Sequence, residues 1–140
     1  MSERTASRVI RVGTGRRERV YDLTGSCAGF LAEVADGRDG LLNVFVPHAT
    51  AGVAVLEVGA GSDEDLLATP AELLPADDRR RHRHGSPGHG RDHVLPALVP
   101  AHATLPVTGG VLALGTWQSV TMADTNVDNP ERTVRLTFLG

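Results

Sequence analysis

Eight short apolar runs, most of them rich in Val, Ile or Thr and bounded by glycine, proline or polar turn residues, divide this chain. They are "SRVIRVGTG", "ERVYDLTG", "GLLNVFVPH", "AGVAVLEVG", "ATLPV", "GGVLALGTW", "SVTMAD" and "RTVRLTFLG". Runs of this length and composition read as strands. The first two are expected to form a hairpin around Gly13 to Arg17. Helical spacing is confined to a few places. "TGSCAGFLAEVADG" sets Phe30, Leu31 and Val34 on one face, with Thr24 or Ser26 as cap and Gly37 as stop. "SDEDLLATPAELLP" opens on a capping-box-like Ser62 and Asp65 and should kink or break at Pro70. "RDHVLPALV" reads as one or two helical turns. Helices do not alternate with strands along the chain, which excludes a parallel βαβ architecture. The expected class is α+β, a sandwich-like domain of mainly antiparallel sheet with two or three short helices.

With 140 residues, 41% of them hydrophobic and 22% charged, residues 1–140 suit one domain whose core needs neither disulfide nor metal. The formal charge of −3 gives nucleic acid no general attraction. All fourteen basic residues are arginine, so lysine Schiff bases and P-loop lysines are excluded. Cys27 stands alone and cannot form an internal disulfide. The opening "MSERTASRVI" lacks a signal-peptide core, and no apolar stretch approaches the ~20 residues of a membrane span. A cytoplasmic location and no membrane partner are the expectation.

Residues 79–93, "RRRHRHGSPGHGRDH", concentrate four of the six histidines and five of the arginines. His82 and His84 would share one face of a strand, and His89 and His93 one face of a helix, so both pairs offer metal-ligand spacing. Gly85, Pro87, Gly88 and Gly90 favour irregular backbone instead. Arg79, Arg80, Arg81 and Arg83 are candidate phosphate contacts. A nucleic-acid strip would need a broader basic face or stacking aromatics, and Asp77, Asp78 and Asp92 dilute this one.

Two further segments stand out. "PHATAGVAVLEV" places His48 at a strand exit and Glu57 nine residues later in an otherwise apolar run. A carboxylate there is either at an edge facing solvent or part of a site. "LALGTWQSV" holds the only tryptophan, Trp117, beside Gln118. On a strand these two would face opposite ways.

Taken in order, "HATAGVAVLE", the loop histidines and "LALGTWQSV" resemble the YjbQ-like family, whose members carry the name secondary thiamine-phosphate synthase. His48 and Glu57 fit its histidine-to-glutamate spacing, and His82 and His93 fit its loop pair. Asp124 and Arg132 fall at its later acidic and arginine positions. This chain departs at Arg80, where the family has tyrosine, at Gly85-Ser86, where it has Glu-Gly, and at His89, where it has asparagine.

The resemblance implies a homotrimer with the histidines near subunit boundaries. It implies condensation of a pyrimidine pyrophosphate with a thiazole phosphate, releasing pyrophosphate. His48, Glu57, His82 and His93 are then the implied catalytic set. His48, His82 and His93 are candidate ligands of a divalent metal, Zn or Mg. Arg80, Arg81, Gln118 and Arg132 would bind the small phosphorylated molecule. The alternative of another class is a non-catalytic metal- or anion-binding homotrimer.

Overall fold

A computed structural model of the chain describes residues 4–140. The elements run β1 (Thr5–Gly13), β2 (Arg19–Asp22), α1 (Thr24–Val34), β3 (Gly40–Phe45), β4 (Ala51–Leu56) and α2 (Ser62–Leu73). A 3₁₀ turn (His89–His93), α3 (Leu95–Leu98), β5 (His102–Thr108), β6 (Val111–Leu112), β7 (Ser119–Asp124) and β8 (Glu131–Leu139) complete them. Every strand pair is antiparallel. One sheet has the order β1-β8-β3-β5-β6 and the other β2-β7-β4. The class is α+β.

Period-two alternation decides how the two sheets meet. Val134, Leu136 and Phe138 of β8 and Leu42 and Val44 of β3 turn inward, toward Val53, Val120 and Met122 of the smaller sheet. Helix α1 adds Cys27, Phe30 and Leu31, whose i, i+3, i+4 spacing gives it one apolar face. The smaller sheet is also covered on its other side, where Leu95 and Val99 pack on Ala123 with Leu66 of α2. This explains why β7 is buried along almost its whole length. No helix among the described residues is long and apolar enough to cross a membrane.

Four local expectations need correction. The first two strands are not a hairpin: β1 pairs over nine positions with β8, while β2 pairs with β7 in the other sheet. Backbone N–H groups of Thr14 and Gly15 donate to the Pro130 carbonyl and carry the chain between sheets. The nine-residue alternating face of β8 outcompetes the four residues of β2 as partner. Neither Thr24 nor Ser26 caps α1, because the Thr24 hydroxyl accepts from Val120 N–H at 2.9 Å and ties the helix to β7.

Helix α2 does not break at Pro70: it runs on to Leu73, and Leu74 N–H donates to the Pro70 carbonyl. It starts at Ser62 after a left-handed Gly61, without a side-chain cap, and Asp63, Glu64 and Asp65 complement its dipole. Lastly, only Val111 and Leu112 of "GGVLALGTW" are strand. Trp117 and Gln118 belong to a turn that Gln118 Oε1 closes by accepting from Gly115 N–H at 2.8 Å.

Candidate functional site

The glycine-rich loop after α2 folds back so that all four of its histidines meet. His82 and His93 stack with ring centroids 3.8 Å apart, and His84 lies 3.9 Å from His82. The 3₁₀ turn brings His89 and His93 together, with their Nε2 atoms 2.8 Å apart. Ring nitrogens of His82, His89 and His93 all lie within 4.8 Å of one another. Burial pushes the pKa of His82 and His93 below the ordinary histidine range, and the neighbouring imidazoles push the same way. Neutral rings with free lone pairs are the form that ligates metal.

The surroundings of His89 fix the orientation of its ring. Its Nδ1 sits 3.3 Å from Asp92 Oδ2 and 3.2 Å from Asp128 Oδ2, so carboxylates hold the far side of the ring while Nε2 turns to His93. This is the carboxylate–imidazole arrangement that orients a ligating histidine. Asp92 is buried and accepts from the Thr125 hydroxyl at 2.7 Å. Asp128 accepts from Ser86 N–H at 3.1 Å. Gly85 permits the approach: its φ is +85°, and a Cβ there would sit 2.8 Å from Asp128 Oδ2 and 2.9 Å from the His89 ring.

These donors fit a metal ion. The Nδ1 atom of His82 is buried without a hydrogen-bond partner, and three converging imidazole nitrogens suit a zinc-like ion better than oxygen-seeking magnesium.

A cleft of about 290 Å³ opens beside the cluster, lined by His84, His89 and His93 on one side and His48, Asn126 and Arg132 on another. Arg132 is buried on the inner face of β8. Its Nε donates to Asp124 Oδ2 at 2.8 Å, and Nη2 reaches Thr50 Oγ1 at 3.4 Å. Nη1 has no protein partner among the described residues. The pair therefore joins the ends of both sheets, and Arg132 lines the cleft. Asn126 Nδ2 donates to the same Thr50 hydroxyl at 3.1 Å.

His48 sits at the end of β3 as the sequence implies, but its Nε2 accepts from the Thr133 backbone N–H at 2.9 Å. It lines the cleft without joining the three converging nitrogens. Burial, then the Arg132 guanidinium, holds its pKa below the ordinary value.

The sequence pattern of the family described as UPF0047 protein YjbQ-like matches residues 8–140. The chain belongs to that family. A UPF0047 protein of Mycobacterium tuberculosis is 58% identical over 131 residues, covering 94% of this chain and 96% of the relative. The UPF0047 protein YugU of Bacillus subtilis is 28% identical, covering 95% and 98%. Among solved structures, a hypothetical protein from Aeropyrum pernix matches with TM-score 0.85 and 35% identity over 96% of this chain and 98% of that one. A YbjQ-like protein of unknown function from Sulfolobus solfataricus gives TM-score 0.91 at 24% identity, covering 99% of each, and supports the fold.

The remaining residues expected at a YjbQ-like site lie elsewhere in the chain. Glu57 is exposed just beyond β4, at the opposite end of that strand from His48. Six strand residues separate the two ends by roughly 17 Å. Gln118 is beside the same far end, because Leu56 pairs with Ser119. Arg80 packs over Gly90, with Nη1 buried 3.8 Å from Asp77, and Arg81 is exposed; neither lines the cleft. Arg132 does line it. Sequence reasoning passed over Thr50, Asp92, Asn126 and Asp128. The alternation of Asp124, Asn126 and Asp128 was the available signal, since Asp124 and Asn126 each accept from the backbone N–H two residues on.

Proposed function

We propose that this UPF0047 family member is a metal-dependent enzyme acting on a small phosphorylated molecule. The observation that carries the reading is the approach of His89 Nε2 to His93 Nε2 at 2.8 Å, with His82 alongside, on the wall of a polar cleft. A divalent ion on those nitrogens would supply Lewis-acid neutralisation of a departing oxyanion. Asp92 and Asp128 would hold the His89 ring. Arg132 would present Nη1 to a phosphate oxygen, and His48, with Nε2 occupied by Thr133, would offer Nδ1–H as a second donor.

The reaction implied by the resemblance fits this class. The pyrimidine carbon exchanges its bond to pyrophosphate for one to the thiazole nitrogen, and pyrophosphate leaves with the bonding electrons. The same reading has the chain working as a homotrimer. Support comes from the outer face of the larger sheet, where Val9, Leu41, Phe45 and Leu139 are exposed, and from Trp117, which is 73% exposed. In such an assembly the corner carrying Glu57 and Gln118 would reach a histidine cleft only on a neighbouring subunit.

The test is to purify the protein, measure bound metal and mass in solution, and incubate it with the pyrimidine pyrophosphate and the thiazole phosphate. Thiamine phosphate and pyrophosphate appearing together, and lost in His93→Ala, support the enzyme. Tightly held metal without turnover of these or other phosphorylated substrates favours the alternative, a non-catalytic metal- or anion-binding homotrimer.

A further inference from the structure

We propose that the Thr50 hydroxyl is a dedicated hydrogen-bond donor to an oxyanion, and that with Arg132 it forms an anion corner that works without metal. The proposal rests on the phosphate side of the reading above and deepens it, while standing apart from the histidine cluster.

The direction of each proton around Thr50 is fixed by its neighbours. The backbone N–H of Asp128 donates to Asn126 Oδ1 at 2.7 Å, which sets the amide and turns Nδ2 toward Thr50. Asn126 Nδ2 donates to Thr50 Oγ1 at 3.1 Å, and Arg132 Nη2 donates to the same oxygen at 3.4 Å. A hydroxyl oxygen has two acceptor positions and one proton. Both acceptor positions of Thr50 are filled, so its own O–H points in the one direction left. No acceptor for that proton stands among the described residues. Thr50 is only 4% exposed, and the open space it adjoins is the cleft. A lone pair in the cleft must therefore receive the proton, because a buried donor left unpaired is costly.

Arg132 reaches the cleft by the same accounting. Its Nε and Nη2 protons go to Asp124 and Thr50, which leaves Nη1 for a ligand. Nη2 links the two donors, since it contacts Oγ1 and shares the guanidinium carbon with Nη1, so one tetrahedral anion can span both. Neither group titrates near neutral pH, so the corner presents hydrogens whatever the protonation of the histidines. Such a wall selects adjacent oxygens that carry lone pairs, as on a phosphoryl group, and refuses ammonium or amide N–H. Asp128, the carboxylate lining the cleft, is held on the His89 side by Ser86 N–H at 3.1 Å.

The experiment uses the full chain stripped of metal by chelation, with inorganic phosphate as probe, followed by phosphorus NMR and proton–phosphorus correlation. Wild type should bind phosphate without zinc. The complex should show one exchange-protected hydroxyl proton coupled to phosphorus, and Thr50→Val should lack it. Thr50→Val should bind about tenfold or more weakly, and Thr50→Ser, which keeps both oxygen and proton, within about threefold of wild type. Thr50→Val also removes the acceptor of Asn126 and Arg132, so weaker binding alone does not separate donation from support of the guanidinium. The coupled proton, read in wild type, does. Phosphate bound with no such proton, or bound only when zinc is present, would overturn the proposal. Zinc binding and turnover test the enzyme reading separately: phosphate held in the corner of a protein that turns nothing over would keep the corner and remove that reading.

Discussion

The backbone N–H of Thr133 donates to His48 Nε2 at 2.9 Å, where β3 has already ended and the β8 ladder would otherwise lose an acceptor. An imidazole thus continues the sheet, and the nitrogen it uses is withdrawn from metal coordination. His48→Ala should therefore keep zinc affinity within about threefold while weakening phosphate binding. Loss of this bond should lower stability by ~1 kcal/mol. Zinc titration and urea denaturation of the same preparation check both effects.

His89 and His93 should behave in the opposite way. Alanine at either position removes one of three converging nitrogens and should abolish tight zinc binding. Asp92→Asn keeps the shape but weakens the hold on His89 Nδ1, and should cost about 10–100-fold in metal affinity. Competition against a chromophoric chelator reads all three variants on one scale.

Which of these features the sequence displayed follows from the range of the forces involved. Period-two alternation and glycine boundaries are local, so most strands were legible. Partner choice is not local, and the length of β8 left β1 paired away from β2. The i, i+4 spacing of His89 and His93 was visible, but only the fold of the glycine-rich loop stacks His82 on His93. Asp128 became a site residue because the left-handed, side-chain-free Gly85 lets it approach His89, a tertiary fact. Glu57 fits a family spacing and Gln118 lies in a family motif, yet β4 carries both away from His48.

Acid should destabilise the metal-free protein. His48, His82 and His93 have pKa values held below the ordinary histidine value by burial first, aided by Arg132 or by neighbouring imidazoles. Below about 6.5 the unfolded chain takes up protons that the folded chain resists, so stability rises with pH. The contribution is complete above that value and is lost as pH falls through the depressed folded values. Urea midpoints at pH 7.5, 6.5 and 5.5 should decline in that order, and His48→Asn should flatten the trend.

Cys27 should be chemically silent in the native state. It is fully buried in α1 against the core, and burial, with the Asp22 charge adding, pushes its thiol up to about 11. Thiolate is then scarce at neutral pH. A thiol reagent should titrate no cysteine in native protein and one after denaturation; prompt native reaction would contradict the packing of α1.

The Asp124–Arg132 pair tests whether the cation lining the cleft serves stability or binding. Both side chains are buried, at 0% and 2% exposure, so removing one partner strands a charge. Asp124→Ala should cost about 3–5 kcal/mol, measured by urea unfolding. Replacing both with apolar residues of similar volume, Asp124→Leu with Arg132→Met, removes the stranded charge and should recover most of that loss. The double variant should nevertheless fail to bind phosphate even when zinc-loaded, because Nη1 has gone from the cleft wall. Stability regained without phosphate binding would mean that the pair is kept for the anion it receives; phosphate affinity surviving in the double variant would place the anion elsewhere.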